Sequence, residues 1–558
     1  MSTLTIYFRT KETKLTDKNY LGEGGEGVIY LKDNLIYKIY HEKANVITPQ
    51  KLAELSGLKK NNIISPIDHI FNPNSLAIGY AMKYVADTVP LARMFTTSFR
   101  NRNNVTPEMA TKLVEKMIET IHYIHQCNII IVDGNEFNYL VDGADFITPY
   151  FIDVDSYQTK SSPAKVIMPS IRDWQSKTFS PLTDWYSFAI VAAQIFVGLH
   201  PFKGNHPSFT KNDLKSRQLA NMSIFNKEVS IPPATRDFSL VPSEYMNWFL
   251  DVFEKGKRTP PPAIAGKLIT KAQVIIATGK DKFMIDKIFE ADGNITGCTW
   301  IFGNRVAYTA KSIYFDKHDY TLPSKTAGVV YFENTPYLVD IIDKKLEVKQ
   351  AFSKAIISNN LAATKKLIID NRVYVINDDK LIEIKFKGIS GRVFVATGNV
   401  WNILPNSTQV FREIVYSDVL GKPYLYVPFK EGACSIVPIP ELNKHKILDA
   451  KYENGICILL TFKDNVYNRI VVKFADDFVK YNFELEADVV PFGINFVSLP
   501  NNLYMYYTGE GEIVIGSRFK SEKKIFSNIK FDHDIVLCHN GVEVYYYSEN
   551  ALYRIKTR

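Results

Sequence analysis

The sequence predicts a multidomain protein, an α+β first half followed by an all-β second half. Up to about residue 275 the apolar residues switch between alternating and helical spacing. From about residue 290 the helical spacing stops, and alternating runs recur in pairs around short polar turns. At 558 residues the chain is too long for a single core. Its 46% hydrophobic and 23% charged residues are those of a soluble globular protein, and 13% aromatics favour strands.

In the first half, strands are expected over 4–9, 17–22, 27–31, 34–40, 67–71 and 77–84. A helix is expected from Pro107 to His125, where Leu113, Met117, Ile118, Ile121 and Ile124 recur at helical spacing. Asp184 to Val197 is apolar nearly all round, the pattern of a buried helix. Glu244 to Phe253 is another helix, ending near Gly256. The run Thr259-Pro260-Pro261-Pro262 punctuates the end of this half, with one more helix to about Ala277.

In the second half, hairpins are expected from residues 304, 335, 371, 423, 456, 501 and 541, around turns such as Asn377-Asp378-Asp379. Their mean spacing of roughly 40 residues is that of a four-stranded propeller blade. The expected architecture is an all-β propeller of about seven blades; a pair of β-sandwiches is the competing one. Closure of a propeller would pair the terminal strand near Tyr545–Ile555 with strands near 290–310, because closure removes sheet edges.

The net charge of +8 is interleaved along the chain, which argues against a nucleic-acid partner. The cysteines, Cys127, Cys298, Cys434, Cys457 and Cys538, are far apart with no C-x-x-C, so neither a zinc site nor a disulfide framework is expected. His318, His445, His533 and His539 show no ligand spacing. The N-terminus has no apolar signal core and no run approaches a membrane span, so a cytoplasmic protein with no membrane partner is expected.

The chemistry-bearing residues fall in the first half. Leu21-Gly22-Glu23-Gly24-Gly25-Glu26-Gly27-Val28-Ile29 holds G-x-G-x-x-G between two strand patterns. Glycines there let backbone N–H groups approach phosphate oxygens. Rossmann folds share the spacing but require a helix next, and here strand, turn and strand follow. Lys38 lies on that next strand, and Glu54 sits sixteen residues on in a short helical segment. Gly79-Tyr80-Ala81-Met82-Lys83-Tyr84-Val85 is a buried strand leaving into a polar stretch. Asp133, Asn138 and Asp153 stand in Val132-Asp133-Gly134-Asn135-Glu136-Phe137-Asn138 and Phe151-Ile152-Asp153-Val154-Asp155. Downstream are Asp184-Trp185-Tyr186-Ser187, Gly198-Leu199-His200-Pro201-Phe202 and Lys257-Arg258-Thr259-Pro260.

In this order and spacing, the motifs over residues ~15–275 resemble the protein-kinase superfamily. Ile152-Asp153-Val154-Asp155-Ser156-Tyr157-Gln158 resembles the I-D-V-D-S-F-Q variant of a bacterial and viral Ser/Thr-kinase-like branch. The resemblance implies a bilobal α+β kinase-like domain over 1–277, with an N-lobe 1–85 and a C-lobe 86–277, and a propeller-like domain over 285–558. It implies ATP with Mg²⁺ or Mn²⁺ as cofactors. Asp133 would be the catalytic base. Lys38 would reach the phosphates, held by Glu54. Gly22, Gly24, Gly27 and Ile29 would cover the nucleotide. Met82 would back the adenine, with Lys83 and Val85 bonding its edge, and Asn138 and Asp153 would bind the metal.

The departures are Ile131 and Val132 where the family has His and Arg, Asn135 where it has Lys, and Asp155 where D-F-G has glycine. Met168-Pro169-Ser170 replaces A-P-E. Without that Arg, no switch by activation-loop phosphorylation is expected. The implied function is Ser/Thr protein phosphorylation, with the propeller recruiting a protein substrate or partner. The alternatives are a pseudokinase scaffold and a small-molecule kinase. Asp155 would support a second metal or shape the acceptor site.

Overall fold

A computed structural model describes residues 3–164, 167–210, 213–262 and 283–557, apart from scattered positions between 317 and 533. The helix expected to about Ala277 and His533 lie outside the described residues. The chain divides into two compact units. One comprises Met1–Val274 with Phe462–Tyr467 and Asp488–Gly493; the other comprises Ile275–Thr461, Asn468–Ala487 and Ile494–Arg558.

The first unit opens with seven strands: β1 (Thr3–Phe8), β2 (Lys11–Thr16), β3 (Tyr20–Glu23), β4 (Gly27–Lys32), β5 (Leu35–Tyr40), β6 (Pro66–Phe71) and β7 (Ala77–Lys83). They form one antiparallel sheet in the order β2-β1-β6-β7-β5-β4-β3. The strand expected over 17–22 starts only at Tyr20, as β3, because Asp17–Asn19 is a 3-10 turn, and β2 before it was not expected. Lys11–Thr16 carries Leu15 as its one apolar side chain, too little for alternation to register. The sheet is drawn tight at two glycines. A Cβ on Gly27 would lie 2.3 Å from the Ile39 carbonyl oxygen, and one on Gly79 1.9 Å from that of Lys38. Between β5 and β6 lies α1 (Pro49–Leu55), started by Thr48, whose side chain accepts from the Lys51 N–H.

The rest of this unit holds a three-stranded sheet of β8 (Thr88–Pro90), β9 (Tyr139–Asp142) and β10 (Pro149–Phe151), together with helices. The helices are α2 (Thr97–Arg102), α3 (Pro107–Gln126), α4 (Pro181–Val197), α5 (Leu214–Leu219) and α6 (Ser243–Phe249). Helix α4 starts at a capping box of Ser180 and Thr183 with Pro181 in its first turn, and stops at Gly198 with φ 76°. It is buried nearly all round, as its composition requires. Trp185, Phe188, Ile190 and Phe196 each contribute about 1.5–3 kcal/mol of apolar burial to the core around it. Helix α3 turns Leu113, Val114, Met117, Ile118, Ile121 and Ile124 into the same core. Helix α6 runs on into one wider π turn, Leu250–Glu254.

The second unit has no helix longer than one 3-10 turn among its described residues. Among the described residues it contains seven sheets, six of four strands and one of three. Every hairpin expected from the sequence falls on adjacent strands, for example Arg372–Asn377 with Lys380–Ile389 and Leu503–Tyr507 with Ile513–Ser517. The tight turns carry paired left-handed residues, Asp370-Asn371 (φ 45° and 67°) and Asp464-Asn465 (φ 52° and 63°). This is the conformation a twisted two-residue hairpin demands, and Asn and Asp tolerate it. Phe283–Glu290 pairs antiparallel with Ala551–Thr557. The partner of the terminal strand therefore precedes the expected 290–310 window, whose strands Ile295–Ile301 and Asn304–Thr309 pair with each other. Val536–His539 neighbours both Phe496–Ser498 and Ile295–Ile301, so the last sheet adjoins the sheet before it and the first one.

Candidate active site

Strands β4 and β5 set the register from which the site is built: Ile29 faces Lys38, and Lys38 faces Tyr80 on β7. The glycine loop joins β3 to β4. Gly24 donates its N–H to the Gly27 carbonyl at 2.9 Å, and the His41 ring nitrogen Nε2 lies 3.1 Å from the Gly24 carbonyl. Only Gly27 is demanded by the protein itself. A Cβ on Gly22 or Gly25 would meet nothing within 4 Å, so no packing against the protein requires glycine at those two.

Lys38 is the centre of the charge cluster. Its Nζ lies 2.7 Å from Asp155 Oδ2, 2.9 Å from Asp153 Oδ1 and 3.5 Å from Glu26 Oε2. Burial would lower its pKa, but Asp155 and Asp153 raise it, so the ammonium is held charged. Asp155 also accepts from the hydroxyls of Tyr40 and Tyr80, each at 2.6 Å. Burial pushes the Asp155 carboxyl up, but Lys38 and these hydroxyls outweigh it and hold the pKa below the usual range. Asp153 sits at the rim of the cluster with left-handed backbone (φ 56°), and burial and the neighbouring Asp155 push its pKa up to about 6. One ammonium facing three carboxylates leaves an excess of negative charge, which suits a site that takes a divalent cation.

The expected ion pair of Lys38 with Glu54 is not present. Glu54, on α1, accepts from the Ser161 hydroxyl at 2.6 Å and its N–H at 3.3 Å. Asp155 occupies the lysine's side instead, because the strand carrying Lys38 and the segment after β10 meet directly. The full burial of Asp155 behind three donors likewise removes it as a ligand for a second metal.

The Asp133 loop is fixed differently. Asp184, near the start of α4, accepts from the backbone N–H of Ile131 at 2.7 Å and of Val132 at 2.9 Å, with His125 Nε2 at 2.9 Å. These bonds hold Val132 at φ 63°, a costly conformation for a β-branched residue. On the loop they use main-chain N–H groups only, so the replacement of His and Arg by Ile131 and Val132 costs the loop no bond to Asp184. Asp133 Oδ1 accepts from the Met168 N–H at 2.8 Å, and Oδ2 from the Asn135 amide at 3.1 Å. Asn138 donates its side-chain nitrogen to the Asp133 carbonyl at 2.7 Å, which leaves its oxygen as the end suited to a cation. The Ile152 N–H donates to the Asn138 carbonyl at 3.0 Å, so Asn138 and Asp153 are brought to adjoining backbone. Among the described residues no three His, Cys, Asp or Glu side chains form a metal-binding group, so any metal here would rely on this amide and carboxylate pair.

Met82 is buried at the end of β7 beside Tyr40, Tyr80 and Ile64, with Val85 packed on the same cluster. Lys83 is exposed. Three residues escaped the sequence reading. Tyr40 and Tyr80 were findable, since one lies two residues from Lys38 on the same strand face and the other is its cross-strand partner. Asp173 was not. It makes a two-pronged pair with Arg258, at 2.6 and 2.7 Å, and ties down the segment after Met168.

No family model matches the chain. It is similar to a protein of Dictyostelium discoideum named "Probable serine/threonine-protein kinase", 24% identical over 274 residues, covering 39% of this chain and 55% of that one. A protein of Acanthamoeba polyphaga mimivirus that carries a serine/threonine-protein kinase name is 24% identical over 280 residues, covering 45% of this chain and 49% of its own length. The chain thus spans about half the length of the curated relatives it matches. No helix among the described residues is long and apolar enough to cross a membrane.

Proposed function

We propose that the chain is an ATP-dependent Ser/Thr protein kinase whose second unit is a seven-bladed propeller that recruits a protein substrate or partner. The observation that carries this reading is the meeting of Lys38, Asp153, Asn138 and Asp133 from separate segments of the first unit. In it, Lys38 binds phosphate oxygens under the glycine loop, and Asn138 and Asp153 hold Mg²⁺ or Mn²⁺. The metal supplies charge compensation on the phosphates when bound. Asp133, held by the Met168 N–H and the Asn135 amide, orients the acceptor hydroxyl and takes its proton. Met82, with the main chain of Lys83 and Val85, lines the adenine side.

The names of the distant relatives support the kinase class. The propeller reading is supported by the seven sheets and by the pairing of the first strand of the second unit with the last. A scaffold without catalysis is the second reading. It is favoured by Asn135, which offers an uncharged amide to Asp133 where a phosphate-facing lysine is expected. Transfer of label from [γ-³²P]ATP with Mg²⁺ or Mn²⁺ separates the two. The kinase reading expects label on a basic protein acceptor from wild type and none from Asp153→Ala. No label from wild type, with nucleotide binding retained, supports the scaffold.

A further inference from the structure

We infer that Asp155, seated by Tyr40 and Tyr80, is the positioning residue for Lys38, and that nucleotide binding is consequently independent of α1. The inference rests on the phosphotransferase reading and names how its phosphate-binding lysine is aimed. Lys38 needs a fixed anion beside it, since a flexible four-carbon stem otherwise leaves the ammonium unaimed. Helix α1, which follows β5 in sequence, places its Glu54 carboxylate on Ser161, with the Glu54–Ser161 hydroxyl bond at 2.6 Å. Asp155 supplies the anion from the other direction. Its side chain is 3% exposed and 2.7 Å from Lys38 Nζ.

Both carboxylate oxygens of Asp155 are fixed. Oδ2 accepts from Lys38 and from Tyr40, and Oδ1 accepts from Tyr80. Burial followed by the nearby Asp155 pushes both phenols far up, so each remains a donor. Tyr40 shares the strand face of Lys38, and Tyr80 stands opposite it on β7, so the sheet register sets the lysine and its anchor together. Asp153 also touches Lys38 but lies at the rim, with its side chain 36% exposed, where it is available to a cation. The two aspartates of this loop therefore divide the work: one aims the lysine from within, the other faces the ligand. A kinase-like protein built this way has its lysine in place without any movement of α1.

The test measures binding of Mg-ATP and of adenosine by the full chain. Lys38 acts on phosphates, so loss of its anchor weakens ATP and spares adenosine, whereas general disruption weakens both. Asp155→Asn is expected to weaken ATP binding about tenfold or more, an effect of about one charge-assisted hydrogen bond, with adenosine unchanged. It is expected to cost nothing further in a Lys38→Met background. Glu54→Gln is expected to bind ATP within about twofold of wild type, the range of a surface change. Should Asp155→Asn not fold, Tyr80→Phe serves, keeping the ring and removing one donor, with the same selective loss for ATP. Equal ATP binding by wild type and the folded Asp155 or Tyr80 variant overturns the inference, as does a loss in Glu54→Gln matching that in Asp155→Asn. Absence of ATP binding by wild type itself overturns the phosphotransferase reading and the inference with it.

Discussion

The two sides of the candidate site are held by different kinds of bond. Lys38 is fixed through side chains, by Asp155 and two buried tyrosines. The Asp133 loop is fixed through main-chain N–H groups donating to Asp184. Side-chain anchoring ties function to residue identity, so each member of the Lys38 cluster should be intolerant of change. Main-chain anchoring ties function to one acceptor and leaves the loop residues themselves open to change. Ile131 and Val132 stand where the resembled family has His and Arg, and the loop keeps its bonds.

Breaking the main-chain side should have the largest effect on stability. Asp184→Ala strands two buried N–H groups and releases the strained Val132, and is expected to lower the unfolding free energy by about 3–5 kcal/mol. Urea unfolding of the full chain, followed by tryptophan fluorescence, would measure it.

The glycine loop offers a sharper, smaller contrast. Gly27→Ala drives a Cβ into the Ile39 carbonyl and is expected to cost about 1–3 kcal/mol, whereas Gly25→Ala enters open space and should stay within about 0.5 kcal/mol. If both melt alike by calorimetry, the glycine loop is not set by its fit against β5.

The pH dependence separates Asp153 from His200. The Asp153 pKa is raised to about 6 in the folded protein, so between about pH 4 and 6 the folded state binds more protons than the unfolded chain. Its contribution to stability therefore falls as pH rises through that window, and Asp153→Asn removes that slope. His200 has the opposite sign. Burial lowers its pKa to about 3, its Nε2 donating to the Ser170 carbonyl and its Nδ1 accepting from Phe202. The unfolded chain takes up that proton first, so stability falls about tenfold in the folding constant per pH unit below about 6.5. Urea midpoints between pH 4 and 8 for wild type, Asp153→Asn and His200→Gln would resolve the two.

Much of the fold was legible because its signals are periodic. Helices α3 and α4 and the hairpins of the second half announce themselves by spacing, and Asp-Asn turns mark where the chain reverses. Strand β2 was not, since a strand with one apolar residue has no alternation to read. In the site, local motifs single out Lys38, Asp133, Asn138 and Asp153, and the structure brings Lys38 to Asp153 and Asn138 to the Asp133 carbonyl. Partners chosen by tertiary packing are not singled out in this way. Asp155 lay inside a motif but its direction depends on where β5 and β7 bring their tyrosines. Asp173 reaches Arg258 across 85 residues, and no spacing rule predicts that pair.

In the proposed kinase, Asp133 handles the acceptor's proton while Lys38, Asn138 and Asp153 bind the nucleotide and its metal. The most direct test is γ-phosphate transfer by Asp133→Ala, with Mg-ATP binding measured on the same sample. Transfer abolished with ATP binding intact is the predicted result. Transfer that persists, or ATP binding lost together with transfer, would contradict the roles assigned here.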